Sequence, residues 1–114
     1  GSLRILTPEA HGAATGRLFD VFPAPRPGGF VDWTWNDGTN AWIVLQHCAT
    51  DQFIVVRSPL SLGGPVQARY EQMVESQTPH SLHQVAEALG ELGAQAEIGR
   101  GGLGRCGCMV NLLD

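Results

Sequence analysis

The dipeptide Asp37-Gly38 lies between two runs of aromatic and β-branched residues, and it constrains the fold of this 114-residue chain most strongly. Asp-Gly favours a two-residue hairpin turn, because a type I′ turn needs a positive φ at both central positions. The runs at 30–35 and 40–48, and a third at 52–57, have compositions typical of strands. The sequence therefore predicts an antiparallel three-stranded meander over about residues 30–58.

The predicted turn also sets a register for the first two strands. It places Trp33 opposite Trp42, and Trp35 then lies on the same face, because side chains alternate along a strand. A longer loop over residues 36–40 would pair Trp33 with Ile43 and separate the tryptophans. We favour the tight turn and predict one face with three tryptophans.

Helix start signals, stop signals and apolar periodicity predict the elements around the meander. Thr7-Pro8 and Thr78-Pro79 are typical helix starts, and the prolines and glycines of residues 23–29 predict a linker. The predicted elements are a strand at 3–6, helices at 8–22, 65–76 and 79–92, and strands at 95–98 and 108–113. The order β-α-β-β-β-α-α-β-β predicts one α+β domain over residues 1–114, an antiparallel sheet packed by two or three helices. Gly1-Ser2 is typical of residues left by cloning.

Charge and hydropathy argue against nucleic-acid and membrane partners. The net charge is −4, and all seven basic residues are arginines scattered along the chain, so no cationic stripe is available for phosphates. No apolar run approaches the roughly 20 residues that cross a bilayer. A lysine-free chain is typical of a GC-rich, bacterial-like genome, and avoidance of lysine-directed modification is the alternative explanation.

The three cysteines are an odd number, so one chain cannot pair them all. Cys48 could bridge to Cys106 or Cys108 in an oxidising compartment. Buried free thiols in a reduced cytoplasm are the simpler prediction, and Cys48 is then a small core residue.

Three motifs suggest chemistry, but their context argues against it. Gly99 to Gly104 matches G-x-G-x-x-G, yet the chain ends too soon for the rest of a dinucleotide-binding unit. Cys106, Cys108, His80 and His83 have poor spacing for zinc, and adjacent strand residues such as His47 and Cys48 point to opposite faces. We therefore predict no cofactor, no metal and no catalytic residue. Arg100 and Arg105 remain as a modest anion site or a contact arm for a partner.

Two features are candidate binding surfaces. Glu71 and Glu75 are a like-charge i,i+4 pair, which indicates either a solvated acidic face or a surface that attracts a basic partner. Trp33, Trp35 and Trp42 form either a core beneath helices or an interface. The opposite face of the meander is also apolar, which leaves both alternatives open.

The order of a helix, three strands and a helix resembles that of secretion chaperones and some toxin-immunity proteins, which are small, acidic and bind one protein partner. The resemblance implies a non-enzymatic protein-binding module with one basic partner. The alternative is a small-molecule-binding protein or small enzyme with a pocket between sheet and helices. Its mouth would lie at His47, Cys48, Tyr70 or the loop from Gly99 to Arg105. A homodimer that buries one sheet face is the third hypothesis.

Overall fold

The computed structural model describes residues 4–5, 23–78, 80–101 and 103. The predicted helix at 8–22 and the predicted strand at 108–113 lie outside these residues. Arg105, Cys106 and Cys108 lie outside them as well.

One mixed sheet organises the described residues. Its strands are β1 (Arg4–Ile5), β2 (Ala24–Arg26), β3 (Phe30–Asn36), β4 (Asn40–His47), β5 (Gln52–Pro59) and β6 (Gln95–Arg100). Their spatial order is β1-β6-β5-β4-β3-β2, with β1 parallel to β6 and every other neighbouring pair antiparallel. The predicted α+β class and the meander, formed by β3, β4 and β5, are confirmed.

The hairpin turn lies one position further along than predicted. The Asp37 backbone N–H donates to the Asn40 carbonyl, which makes Gly38 and Thr39 the central residues, and only Gly38 has a positive φ, of 89°. The Asp37 carboxylate accepts from the N–H groups of Thr39 and Asn40. These bonds favour Asp37 as the residue that precedes the two central positions of the turn.

The predicted register is therefore wrong by two residues. Trp35 lies opposite Trp42, and Trp33 lies opposite Val44. Because side chains alternate with a period of two, a shift of two residues keeps every side chain on its predicted face. Trp33, Trp35 and Trp42 do share one face of the sheet.

The linker predicted at residues 23–29 contains a strand. β2 pairs with the first three residues of β3, and Gly28 and Gly29, both with positive φ, lie in the turn between them. Pro25 lies opposite Val31, whose backbone N–H and C=O point towards β4 and away from β2. The strand pairing therefore needs no N–H at Pro25, so a proline is tolerated there.

The two helices begin at different residues from those predicted. A 3-10 turn (Leu60–Leu62) leads into α1 (Gly63–Val74), which starts and ends two residues before its predicted bounds, and α2 is Leu82–Glu91. Ser81, not Thr78, begins α2, because Ser81 and Gln84 form a reciprocal capping box. Neither helix is long and apolar enough to cross a membrane.

Both faces of the central strands are buried. α1 and α2 pack on one face, over Ile43 and Leu45 of β4 and their neighbours on β5. On the other face Trp33, Val44 and Phe53 are buried, and Leu103 belongs to the same cluster. The prediction of apolar residues on both faces of the meander is thus confirmed.

The prediction of free thiols is wrong for Cys48. This residue is disulfide-bonded and lies half-buried at the end of β4, against the tryptophan-bearing face. The chain has only two other cysteines, Cys106 and Cys108. A disulfide that links distant parts of a chain stabilises the fold mainly because it restricts the unfolded state.

We expect reduction of the Cys48 disulfide to lower the free energy of unfolding by about 2–4 kcal/mol. Urea unfolding with and without a thiol reductant measures the loss. Cys48→Ser is the control, since its unfolding should not respond to reductant. Equal midpoints of the native chain in both conditions would contradict a stabilising disulfide.

Candidate functional site

Arg26 binds three carboxylates at the β2 edge of the sheet. Its Nε donates to Asp32 at 2.8 Å, and its two terminal nitrogens bind both oxygens of Glu71 at 2.9 and 3.0 Å. It also donates to Glu75. Its guanidinium lies 6.0 Å from the centre of the Tyr70 ring. One side chain therefore joins β2 and β3 to helix α1.

Asp32 is the buried member of this cluster. Only 2% of it is exposed, and its carboxylate accepts from the Tyr70 hydroxyl at 2.5 Å as well as from Arg26. Burial raises the pKa of Asp32 above its usual value, although the Tyr70 hydrogen bond and the Arg26 charge offset part of that rise. Burial likewise raises the pKa of Tyr70, which remains a neutral donor.

Arg26 and Asp32 are not among the site residues that the sequence predicts. Arg26 lies in a segment that proline and glycine identify as a linker, so its pairing depends on a strand that was not predicted. Asp32 carried a signal, because it is a lone acid within an apolar strand, on the face that carries Leu45. A charge at such a position needs a buried partner.

A row of four side chains crosses the other face of the sheet at the hairpin end. Trp35, Trp42, Arg57 and Gln95 occupy matching positions on four successive strands. Trp35 and Trp42 are stacked with centroids 5.8 Å apart, and the Arg57 guanidinium lies 5.6 Å from the Trp42 ring. Arg57 also donates to Gln95 at 3.0 Å. These contacts fix the orientation of both tryptophans.

Asp37 closes this row at the turn. Its second carboxylate oxygen accepts from the Trp42 indole N–H at 2.9 Å. Hydrogen bonds from the Asn40 backbone, the Trp42 indole and the Thr39 backbone lower the pKa of Asp37 to about 2. Asp37 is exposed, so it places a permanent negative charge beside the hairpin end at neutral pH.

Among the described strands, only β2 pairs with the outer side of β3, and it covers that side in part. β2 covers its first three residues, and no described strand pairs with the outer side of residues 33–36, which we call the open edge. Backbone hydrogen bonds from Asp37 to Asn40 and from Cys48 to Gly29 show which residues of β3 bond to β4: they are the odd-numbered ones. By alternation, the N–H and C=O groups of Thr34 and Asn36 point outwards, and both residues are exposed.

A cavity of about 380 Å³ lies beside the open edge, between β3, β4 and the start of α1. Its lining consists of Thr34, Trp35, Asn36, Ala41, Trp42, Leu60, Gly63 and Gln67. Leu60 is an exposed apolar residue at 45%, and Trp35 is half-buried. The described lining side chains are apolar groups, amides, indoles and one hydroxyl, which can contact a ligand and donate or accept hydrogen bonds.

The structure separates the predicted site residues. Trp33 is 1% exposed and Trp42 5%, so both rings belong to the core, whereas Trp35 reaches the surface. Glu71 lies on α1 and Glu75 follows its last residue, and both bind Arg26. Arg100 is exposed and is the last residue of β6. The first two residues of the G-x-G-x-x-G segment, Gly99 and Arg100, therefore belong to a strand. Trp35, Trp42 and the two glutamates therefore lie near the open edge, and Arg100 does not.

The residues predicted for the alternative pocket do not line this cavity or the smaller one, of about 240 Å³, between β4, β5 and β6. Tyr70 is fully buried and bonded to Asp32, and Cys48 is in a disulfide. His47 stacks on Phe30 at 4.6 Å, with its Nδ1 3.2 Å from the Thr50 hydroxyl. His80 is half-buried and His83 is exposed.

Comparison with known proteins adds no family. The chain matches no protein-family model, no curated protein and no solved structure. The open edge and its cavity are therefore the features of the described residues from which a function can be inferred.

We expect Arg26→Ala to lower the free energy of unfolding by about 3 kcal/mol or more, because it leaves the buried Asp32 without its counter-charge. Arg69→Ala is the matched control on α1, since Arg69 is exposed and contacts only Gln72 at 3.5 Å among the described contacts. It should change stability by no more than about 0.5 kcal/mol. Urea unfolding of both variants checks the difference, and equal losses would contradict a structural role for the Arg26 cluster.

The lowered pKa of Asp37 predicts a pH dependence. Its folded-state pKa is below the unfolded value of 3.8, so its contribution to stability is present above that value and is lost as pH falls towards about 2. Asp37→Asn should therefore be less stable than the native chain near neutral pH, and the difference should shrink on acidification. Thermal unfolding across this range measures it. A difference that grows at low pH would contradict the assignment.

Proposed function

We propose that this chain is a non-enzymatic protein-binding module, of an immunity- or chaperone-like kind, that binds one partner at the open edge and its cavity. The observation that carries the proposal is that a strand edge with no described partner strand lies next to exposed apolar side chains. Trp35 and Leu60 reach the surface within one cavity, next to outward-pointing backbone groups. Aromatic residues held rigidly by their neighbours are typical contributors to binding energy at protein interfaces.

The lining of the cavity favours binding over catalysis. Its described polar side chains include the Thr34 hydroxyl, the amides of Asn36 and Gln67 and the indole N–H groups of two tryptophans, and Gln67 already donates to Glu71 at 3.0 Å. Such groups orient a ligand by hydrogen bonds, whereas nucleophilic or acid-base chemistry needs a titratable group at the site. This composition supports the binding module over the small enzyme.

The disulfide affects the expected location of this function. The predicted cytoplasmic location assumed free thiols, and disulfides persist mainly in oxidising compartments. The bonded Cys48 therefore favours a partner met outside a reduced cytoplasm.

Peptide selection tests the proposal. A phage-displayed library of short linear peptides is panned against the purified chain, and enriched peptides are synthesised and titrated against variants. Leu60→Ala should weaken binding about tenfold or more, because Leu60 lines the cavity.

Leu92→Ala is the matched control for that titration. Leu92 is an apolar residue of similar exposure, 41%, at the end of α2 and away from the cavity lining. Binding should be unchanged in this variant. Enriched peptides that bind both variants equally, or a selection that enriches none, would overturn the proposed site.

A further inference from the structure

The open edge has a defined hydrogen-bonding pattern. Thr34 and Asn36 each point one N–H and one C=O away from β4, while Trp33 and Trp35 point theirs towards β4. These four outward groups continue the line along which β3 pairs with β2. A strand edge that has no partner among the described strands can serve as a template for another strand.

We propose that the open edge of β3 binds an extended, positively charged peptide segment of the partner by strand addition, beside β2. The inference rests on the proposed function and names both the binding mode and the class of partner. In this mode, backbone hydrogen bonds supply affinity, and pockets for alternate side chains supply specificity.

The cavity meets the requirement for a side-chain pocket. Alternate side chains of an added strand point to the face that carries α1, where the cavity opens between Thr34, Leu60 and Gln67. Leu60 offers apolar contact for one such side chain, and Trp35 lies along the other face of the edge. The segment that fits is therefore one in which apolar and basic residues alternate or lie close together.

The charges at the two ends of the open edge indicate that the bound segment is positively charged. Asp37 lies at the turn end with a lowered pKa, and the Arg26 cluster lies at the end next to β2. In that cluster Glu71 and Glu75 exceed the single Arg26 by one negative charge, even without counting the buried Asp32. Both ends are acidic, so a cationic segment is complementary to them and an anionic one is not.

The same charges disfavour a second copy of this chain as the occupant. Two copies paired edge to edge across a two-fold axis in antiparallel fashion would bring Asp37 of one towards the Arg26 cluster of the other. Like charges would then meet at both ends, which penalises that dimer.

Amide hydrogen exchange tests the inference on the intact, oxidised chain. The probe is a short capped peptide of alternating valine and arginine, and the control peptide carries glutamate in place of arginine. The valine–arginine peptide should slow exchange at the amides of Thr34 and Asn36 and leave Trp33 and Trp35 unchanged, since those two already donate to β4. The glutamate peptide should bind about tenfold more weakly or worse.

Backbone methylation of the probe isolates strand pairing from side-chain contacts. Two versions of the valine–arginine peptide are N-methylated, each on one of the two alternate sets of nitrogens. Only the set that faces the edge donates to it, so one version should lose binding and the other should keep it. Thr34→Pro, which removes an outward donor without breaking the ladder with β4, should also abolish protection.

Each other result overturns the inference in a distinct way. Binding that tolerates both methylated peptides and Thr34→Pro would leave the proposed protein-binding function intact but exclude strand addition. Preference for the glutamate peptide would exclude the basic partner. Protection of Thr34 that rises with protein concentration without any peptide would assign the edge to a second copy. No response to the valine–arginine peptide would exclude the mode altogether.

Discussion

A single guanidinium determines how the edge of this sheet is built. Asp32 is buried beneath α1, and a carboxylate there is tolerated only with hydrogen bonds and a counter-charge. Tyr70 supplies one hydrogen bond and Arg26 supplies the charge. Because Arg26 reaches Asp32 from β2 and also binds Glu71 on α1 and Glu75 at its end, the cluster links the short edge strand to the helix.

The open edge is a consequence of that arrangement. β2 pairs only with Phe30 to Asp32 of β3, so the second half of β3 extends beyond it without a described partner strand. The 3-10 turn and the start of α1 lie next to this half and provide Leu60 and Gln67 to the cavity. On the opposite face the stacked Trp35 and Trp42 hold the same segment rigid. The features of the candidate site therefore depend on one another.

Local signals predicted much of the fold and little of the site. Strand-forming runs located β3, β4 and β5, and apolar periodicity located α1 and α2, because these signals depend on residues near one another in the chain. The hairpin register was wrong by two residues, since the Asp37 side chain bonds to the turn in a way that residue preferences do not encode. The start of α2 was misplaced for a similar reason, as the capping box of Ser81 and Gln84 replaced the proline signal.

The sequence by itself determined the α+β class, the meander and the shared face of the three tryptophans, because alternation along a strand survives an even shift of register. Only the tertiary structure decided which tryptophan reaches the surface, since that depends on what packs over each position. It also decided that Glu71 and Glu75 bind Arg26, which is 45 and 49 residues away from them in the chain. Such pairings arise from the approach of β2 to α1, which no local pattern specifies.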